Sequence, residues 1–289
     1  MYNRVRVFDD EPETSTRTMN KFVFLLSSCL QALLSLTAAA DAIVPTERIP
    51  LFNGHDLTGF YTFLETRGRD NDPMHVFTVQ DGELRIAGDE WGGLITKDEY
   101  RDYRIVAEYR WGDEAFGRRA KNARNNGMLI HSTGPDGGFS GIWMRSLECQ
   151  IIEGGTGDLL MLGDGSPEFA LTVPTAAERH GKTPVYEEGG TPVTVNRGRI
   201  NWWGRDPGWK DALGFRGAKD LEKPVGEWNR LEAIARGDTV EVVLNGVVVN
   251  KAIHVKPSAG RIQIQNEGAE IHFRRIDLLP LTAADTAGE

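Results

Sequence analysis

The segment spanning residues 141–153 holds the residue types best suited to chemistry in this sequence. It predicts a β-strand because it is rich in Ile, Trp and Leu, yet it also carries Glu148, Gln150 and Glu153. Side chains along a strand alternate between its faces, so Glu148 and Gln150 share one face, and one bulged residue would bring Glu153 there too. Two carboxyls and an amide on one sheet surface can act as acid, base and hydrogen-bond clamp on a sugar. The alternative is an edge strand with a solvated polar face.

A second segment, residues 261–267, repeats this alternation. Gln263 and Gln265 fall on one face together with Arg261 and Glu267, while isoleucines fall on the other. A row of amides and charges on the open face of a sheet suits a polyhydroxylated ligand, whose hydroxyls need paired donors and acceptors. We therefore expect Gln263 and Gln265 to bind substrate if the two segments lie side by side. A solvent-exposed face is again the alternative.

Four further residues are candidates for the same site. Asn126 precedes a predicted strand, where an asparagine either binds a ligand or forms part of a turn. His131 ends that strand and is a general base, a metal ligand or a buried core histidine; no His, Asp or Glu cluster of metal-ligand spacing surrounds it. Trp203 lies in a Gly/Pro loop with two other indoles, which either stack on sugar rings or plug the space under the loop. Arg145, in the first segment, is placed with them as a substrate-binding residue.

These residues must be positioned by short strands, since turn signals recur and helical periodicity is scarce. Two alternating runs flank Asp81-Gly82, and two more flank Asn245-Gly246, which is the strongest hairpin signal in the chain. Many closely spaced strands without alternating helices predict an all-β chain folded as a two-sheet sandwich or jelly roll. The stretch 159–225 is rich in Gly, Pro and Trp, and we expect it to form long loops over one face.

Composition restricts the partners of this chain. Its net charge is −9 and the basic residues are scattered among acids, so the sequence has no electrostatic footprint for nucleic acid. The sequence predicts a carbohydrate partner and no membrane span, and it leaves the oligomeric state open. Only two cysteines occur, Cys29 and Cys149, and the first is expected to leave with an export signal, so no intramolecular disulfide is expected in the mature protein.

An export signal is predicted inside the chain rather than at residue 1. Met19-Asn20-Lys21 precedes an apolar run and the small residues before Asp41, so Met19 is the expected true start and cleavage follows Ala40 or Ala42. A lipoprotein signal ending at Cys29 is a weaker alternative, because its apolar core would be about five residues long. The predicted organisation is a leader and signal over 1–42, a linker over 43–50, one domain over 51–281 and a tail over 282–289. The mature protein is expected in the periplasm or outside the cell.

Several short motifs, each weak alone, resemble the 3-keto-disaccharide hydrolase domain family in their joint order. They are Leu51-Phe52-Asn53-Gly54, Gly93-Leu94-Ile95-Thr96, Asn126-Gly127, Glu148-Cys149-Gln150-Ile151, Gly226-Glu227-Trp228-Asn229, Leu244-Asn245-Gly246 and Phe273-Arg274-Arg275-Ile276. The resemblance extends from about Leu51 to Leu281. It implies a concanavalin A-like jelly roll and activity on oxidised sugars. The chain departs from the family pattern at Glu267, where a His before Gly is common.

The resemblance implies a reaction in which a ketone at C3 acidifies the hydrogen on C2. Glu148 or His131 would remove that proton, and Glu153 would protonate the leaving glycosidic oxygen. Asn126, Gln150 and Gln263 would bind the enolate oxygen or the hydroxyls, a role that the resemblance also allows a divalent cation to take. The resemblance implies no other cofactor. Ordinary double displacement by Glu148 and Glu153 is the alternative mechanism, although Gln150 replaces the middle acid of the more distantly similar glucanases.

The non-enzymatic alternative is a carbohydrate-binding, lectin-like domain on the same sandwich. It would use Trp202, Trp203 and the row of amides, and it would not need Glu153. A structural surface domain without ligand is a third interpretation.

Overall fold

Alternation of apolar and polar residues organises the chain from residue 41 to residue 286, which is the part that the computed structural model describes. The predicted signal, with Met19 and Cys29, lies outside these residues. Inside them, helix is confined to a 3₁₀ turn at Gly117–Arg119 and a short helix, α1, at Ala283–Thr286. No helix in the described part is long and apolar enough to cross a membrane.

Residues 41–286 form eighteen strands. In chain order they are β1 Ile49–Pro50, β2 Phe60–Leu64, β3 Gly68–Arg69, β4 Phe77–Gln80, β5 Glu83–Ile86, β6 Gly92–Thr96, β7 Tyr103–Ala115, β8 Asn125–Thr133, β9 Arg145–Ile152, β10 Leu159–Leu162, β11 Ala170–Thr175, β12 Thr191–Val195, β13 Gly198–Ile200, β14 Asn229–Arg236, β15 Thr239–Leu244, β16 Val247–Lys256, β17 Arg261–Asn266 and β18 Ala269–Leu279.

The strands form two antiparallel sheets. Sheet I has the order β12-β11-β16-β15-β14-β7-β18-β5-β4, with β1 added beside β18. Sheet II has the order β13-β10-β9-β8-β17-β6-β2-β3. Most neighbours in sheet II are distant in sequence, and β17 inserts between β8 and β6. The two segments singled out in the sequence, β9 and β17, are therefore separated by β8 alone.

The hydrophobic core lies between the two sheets. From sheet I, the alternate residues Tyr103, Ile105, Ala107, Tyr109 and Trp111 of β7 face inward and are all but inaccessible to solvent. From sheet II, the inward residues include Met128 on β8, Cys149 and Ile151 on β9, and Ile264 on β17. Because β-strand side chains alternate, the intervening residues of these sheet II strands face outward. The predicted all-β jelly-roll sandwich is confirmed.

The two predicted hairpins are also confirmed. Asp81 and Gly82 join β4 to β5 with φ angles of 52° and 80°, and Asn245 and Gly246 join β15 to β16 with φ angles of 49° and 87°. A type I′ turn requires positive φ at both central residues, which explains why an Asx-Gly pair stands at each position.

The loops predicted over residues 159–225 are only partly present. Strands β10 to β13 lie within this stretch, separated by loops at 163–169 and 176–190, and the longest segment without a strand is residues 202–228. Two of these strands, β11 and β12, were not predicted, because they contain Pro174 and Pro192. They stand opposite each other in β11 and β12, beyond the last residue of β11 that pairs with β16. A proline is tolerated at such an edge because no ladder hydrogen bond is lost there.

The β15–β16 turn gives a direct test of this backbone argument. Replacing Gly246 by Ala should destabilise the fold by about 1 kcal/mol, because φ is +87° while no atom crowds the added Cβ. Gly246→Asn should cost less, since Asn tolerates the left-handed region better. Urea or thermal denaturation measures both variants. Equal stability of Gly246→Ala and the wild type would contradict the assigned turn.

Candidate functional site

The outer face of sheet II carries the predicted polar residues of β9 and β17. Glu148 stands opposite Leu129 on β8 and Leu160 on β10, and Gln150 stands opposite Gly127. Gln263 on β17 also stands opposite Leu129. Directly opposed residues of antiparallel strands point to the same face, so all of these side chains share one surface.

Gly127 leaves the space in which two functional side chains meet. A Cβ built on this residue would lie 2.5 Å from Oε1 of Glu148 and 2.8 Å from Oε1 of Gln265. The two side chains therefore reach over β8 from either side. Any residue larger than glycine at this position would displace them.

Gln150 links Glu148 to the next strands of sheet II. With its amide nitrogen turned toward the carboxyl, Gln150 donates to Glu148 and to the carbonyl oxygen of Asn126. Its amide oxygen then accepts a hydrogen bond of 3.2 Å from Nη2 of Arg199 on β13. The predicted clamp of carboxyl and amide is therefore present, with Arg199 as an additional member.

Glu267 is the second carboxyl of the site. It follows β17 in the turn to β18 and is hydrogen-bonded by the side chain of Asn125, with Nη1 of Arg119 at 4.0 Å from its Oε1. Sequence reasoning placed Glu267 on the face of Gln263 and Gln265 but gave it no catalytic role. The usable signal was its continuation of that alternating row.

Burial sets the protonation of both carboxyls. The Glu148 side chain is almost inaccessible to solvent, and this burial, followed by the charge of Glu267, raises its pKa well above the usual range, against a smaller opposing effect of Arg199. Burial also raises the pKa of Glu267 to about 7, although Arg119 and Asn125 act in the opposite direction. Two carboxyls with different environments suit one acid and one base at neutral pH.

Several buried amide groups around these carboxyls lack hydrogen-bond partners within the protein. They are Nε2 of Gln263, both side-chain polar atoms of Gln265, and Oδ1 of Asn266. An unsatisfied buried polar atom costs about 1–3 kcal/mol. The cost disappears when a ligand or water supplies the missing hydrogen bond. These amides can therefore hydrogen-bond a hydroxylated or carbonyl-bearing molecule.

An aromatic wall borders the carboxyls. Trp91 and Trp143 stack with their ring centroids 5.7 Å apart, and Nε1 of Trp143 donates to the carbonyl of Gly92. Both rings pack in one cluster with Leu129 and Leu160, the two residues beside Glu148. Neither tryptophan was predicted as a site residue. Trp143 was counted only as an apolar residue of the strand predicted over 141–153, which begins at Arg145 in the structure, and Trp91 lies just before β6.

Glu153 is placed differently from the expectation. Its Oε1 accepts from Nη1 of Arg124 at 2.7 Å, and its Oε2 accepts from the backbone N–H groups of Arg124 and Gly214 at 2.9 and 2.8 Å. The side chain is buried in this ion pair. Both oxygens are therefore occupied in fastening the end of β9 to neighbouring loops, which gives Glu153 a structural role.

His131 and Asn126 lie inside the protein. The His131 ring packs edge-on against Tyr103 between the sheets, and its burial lowers its pKa to about 4, so the ring is neutral at pH 7. Asn126 is fully buried and donates to the carbonyl of Gln265, which ties β8 to β17. Neither side chain faces the carboxyl pair. Asn126 points inward from β8, and His131 points inward at the bulge near the end of the same strand.

Arg145 and Trp203 lie elsewhere on the surface. The Arg145 guanidinium stands over the ring of Phe169 at 5.8 Å and 3.7 Å from Asp164. Trp203 is 37% exposed and hydrogen-bonds through Nε1 to the carbonyl of Val248 on sheet I, whereas Trp202 is part of the core. The predicted site is thus brought together at Glu148, Gln150, Gln263 and Gln265. It lacks the other predicted residues, which are Asn126, His131, Arg145, Glu153 and Trp203.

The donors at this site do not fit a divalent cation. Among residues 41–286, no group of three His, Cys, Asp or Glu side chains converges. Glu148 and Glu267 are the two carboxyls at this site, and no third His, Cys, Asp or Glu of the described part of the chain converges with them. No step is therefore assigned to a metal.

Comparison with known proteins places this site in a family. A model of the 3-keto-alpha-glucoside-1,2-lyase-like domain matches residues 47–279. A search of curated proteins finds no match. Solved structures with a similar course include a proposed glycosyl hydrolase from Parabacteroides distasonis, at 17% identity and a TM-score of 0.48, covering 82% of this chain and 94% of that one. They also include a β-glucanase from Bacillus licheniformis, at 11% identity and a TM-score of 0.39, covering 80% of this chain and 97% of that one.

These structural scores are too low to support an argument about function. The fold and the polar face define a carbohydrate-active β-sandwich protein. The chain belongs to the 3-keto-alpha-glucoside-1,2-lyase-like domain family, since the family model covers most of it. The resemblance seen in the sequence motifs is thereby confirmed.

The buried carboxyl of Glu148 predicts a gain in stability when it is removed. Its folded-state pKa is raised, so it stabilises the fold only at low pH, and this contribution is lost as pH rises from the unfolded value of about 4.3. Glu148→Gln should therefore melt higher than the wild type by about 2–4 °C at pH 8, corresponding to about 1 kcal/mol, with little difference at pH 4. Calorimetry across pH measures this, with the exposed Glu227→Gln as control. A difference that does not change with pH would contradict the assignment.

Proposed function

We propose that this protein is an exported enzyme that cleaves 3-keto-glycosides by elimination, with Glu267 and Glu148 as its base and acid. The observation that carries the proposal is that Glu267, a largely buried carboxyl in the turn after β17, acts electrostatically on the buried carboxyl of Glu148 on the polar face of sheet II. Family membership supports a keto-sugar substrate. The signal predicted after Met19 supports export.

The proposed reaction begins with the hydrogen on C2, which the neighbouring C3 ketone acidifies. Glu267 takes this proton, and the electron pair of the C–H bond forms an enolate with its negative charge on the C3 oxygen. The enolate then re-forms the ketone, makes a C1–C2 double bond and breaks the bond from C1 to the glycosidic oxygen. Glu148 gives its proton to that oxygen. Water can later add across the double bond to give the free keto-sugar.

The order of the two pKa values supports these roles. Burial and the charge of Glu267 raise the pKa of Glu148 well above its usual range, so Glu148 is assigned as the acid. Glu267, with a pKa of about 7, is partly ionised there and its carboxylate is stabilised by Asn125 and Arg119. A general base is most effective when its pKa lies near the operating pH. A histidine, common at this position in the family, would have a similar pKa.

The unpartnered amides can hold the reacting sugar. Nε2 of Gln263 and Nε2 of Gln265 are buried donors without protein acceptors, so either can bind the enolate oxygen. One such donor is worth about 10²–10³ in rate. Trp91 and Trp143 offer an apolar wall beside Glu148 for the sugar ring. Double displacement by Glu148 and Glu153 is less well supported, since Arg124 occupies the second carboxyl.

Exchange of the C2 hydrogen separates the two proposed roles. A 3-keto-glucoside and its unoxidised parent are incubated in D₂O with the protein, and NMR follows both C2 deuteration and cleavage. The wild type should deuterate and cleave only the keto form. Glu148→Gln should still deuterate C2 but cleave at least 100-fold more slowly, because only the acid is lost. Glu267→Gln should do neither.

The control for this experiment is Glu227→Gln, an exposed glutamate in the turn before β14. Its rates should match the wild type. Cleavage of the unoxidised sugar at the same rate would contradict the elimination. Saturable binding of the keto-sugar without exchange or cleavage by the wild type would instead support the lectin-like alternative.

The pH dependence of kcat/KM tests the pair as a unit. Activity should rise through about pH 7 as Glu267 loses its proton and should fall at higher pH when Glu148 loses its own. Glu267→His should retain activity and move the acidic limb toward the usual imidazole pKa of about 6.5. The measurement is a rate profile from pH 5 to 10 on one keto-glycoside. Full activity of Glu267→Gln with an unchanged acidic limb would exclude Glu267 as the base.

A further inference from the structure

A cavity of about 420 Å³ opens on the side of the sandwich opposite the carboxyl pair. Its floor includes Glu241 on β15 and Lys251 on β16, which stand directly opposite each other. The flanking residues Val240 and Val242 are in the core, so Glu241 faces outward from sheet I. Glu148 faces outward from sheet II. The core therefore separates this cavity from the carboxyl pair.

Trp203 forms a fixed wall of this cavity. Its Nε1 donates to the carbonyl of Val248 at 2.9 Å, and its ring meets Trp202 edge-on with centroids 5.2 Å apart. Trp202 is itself part of the core. The exposed ring is thus held from two sides, and little side-chain entropy remains to be lost when a ligand packs on it. Lys219 stands over this ring, with its Nζ 5.8 Å from the centroid, and the indole is still 37% exposed, so part of a rigid apolar ring is open to a ligand.

Polar groups surround this indole. Tyr186, Glu187 and Glu188 form the other side of the cavity, opposite Glu241 and Lys251. Burial, followed by the charges of Glu188 and Glu241, raises the pKa of Tyr186, which lines the same cavity as both carboxylates. The cavity therefore offers three carboxylates as acceptors and one ammonium as a donor. This excess of negative charge repels anionic ligands and suits neutral hydroxyls.

We propose that this cavity is a second carbohydrate-binding site, which holds a neutral sugar ring of an oligosaccharide against Trp203. Its volume lies within the range of about 300–1,000 Å³ found for small-ligand sites. A flat apolar ring beside carboxylates matches a pyranose, which has an apolar face of C–H groups and a rim of hydroxyls. The site retains the protein on a glycan while the carboxyl pair, on the other side, acts on a separate sugar unit.

Binding of unoxidised oligosaccharides tests the site independently of catalysis. The probes are maltoheptaose, cellohexaose and mannohexaose, with the anionic polymer polygalacturonate as a contrast, and affinity is measured by calorimetry on the full chain carrying Glu148→Gln. At least one neutral probe should bind saturably and polygalacturonate should not. Adding Trp203→Ala should weaken that binding by about tenfold or more, and Trp203→Phe should weaken it less, because a ring is kept.

The matched control is Trp228→Ala, a half-buried tryptophan elsewhere on sheet I that packs against Arg110 and Arg274. It should leave the affinity unchanged. Failure of every neutral probe to bind, or equal binding by Trp203→Ala and its parent, would overturn the proposal. A concentration-dependent dimer in sedimentation that Trp203→Ala abolishes would also overturn it, by assigning the exposed ring to a second copy of the chain. None of these outcomes bears on the turnover of keto-sugars.

Discussion

The packing of the two sheets against each other determines the site on the outside of the protein. Cys149 and Ile151 are committed to the core, so Glu148 and Gln150 can only face outward from the same strand. A one-residue slip of β9 would bury the carboxyl between the sheets and expose apolar side chains. The apolar contacts of the interior therefore fix the direction of Glu148 and Gln150 with a precision that a loop would lack.

The site gains its chemistry at the expense of stability. Glu148 is buried beside Glu267, and neighbouring amides of Gln263 and Gln265 lack partners, arrangements that a core selected only for stability would avoid. The compensation comes from the surrounding sheet. Asn126 ties β8 to β17 through the Gln265 carbonyl, which secures the backbone that carries one of these unpartnered amides.

Buried charges also hold the loop of residues 202–228 against sheet II. Asp158 accepts from the guanidinium groups of Arg199 and Arg205, and Trp209 donates through Nε1 to the carbonyl of Glu153. Arg199 also hydrogen-bonds Gln150, so the anchor of this loop is connected to the clamp on Glu148. Glu153 contributes by closing the end of β9 with Arg124. The acids that the sequence presents alike thus divide into Glu148, which faces the polar surface of sheet II, and others that fasten the loop.

The sequence by itself determined the sandwich, because alternation and Asx-Gly turns are local properties that each strand and hairpin carries. It also determined that Glu148, Gln150, Gln263 and Gln265 face outward, since alternation fixes the face of every residue in a strand. The sequence did not predict strands β11 and β12, because their prolines are acceptable only at the edge of a sheet. Which strand lies at an edge is a property of the whole sheet.

Only the tertiary structure decided which outward residues meet. The insertion of β17 beside β8 brings Glu267 to Glu148, and no spacing along the chain encodes that neighbourhood. Glu153 and His131 have the right chemistry, but their roles depend on distant partners: Arg124 engages the first, and Tyr103 and the facing sheet enclose the second. The sequence predicted Trp203 as a ligand-binding ring, but only its hydrogen bond to the Val248 carbonyl shows that it lies beside sheet I. Burial and pairing are long-range properties, so they are settled only when the two sheets close on each other.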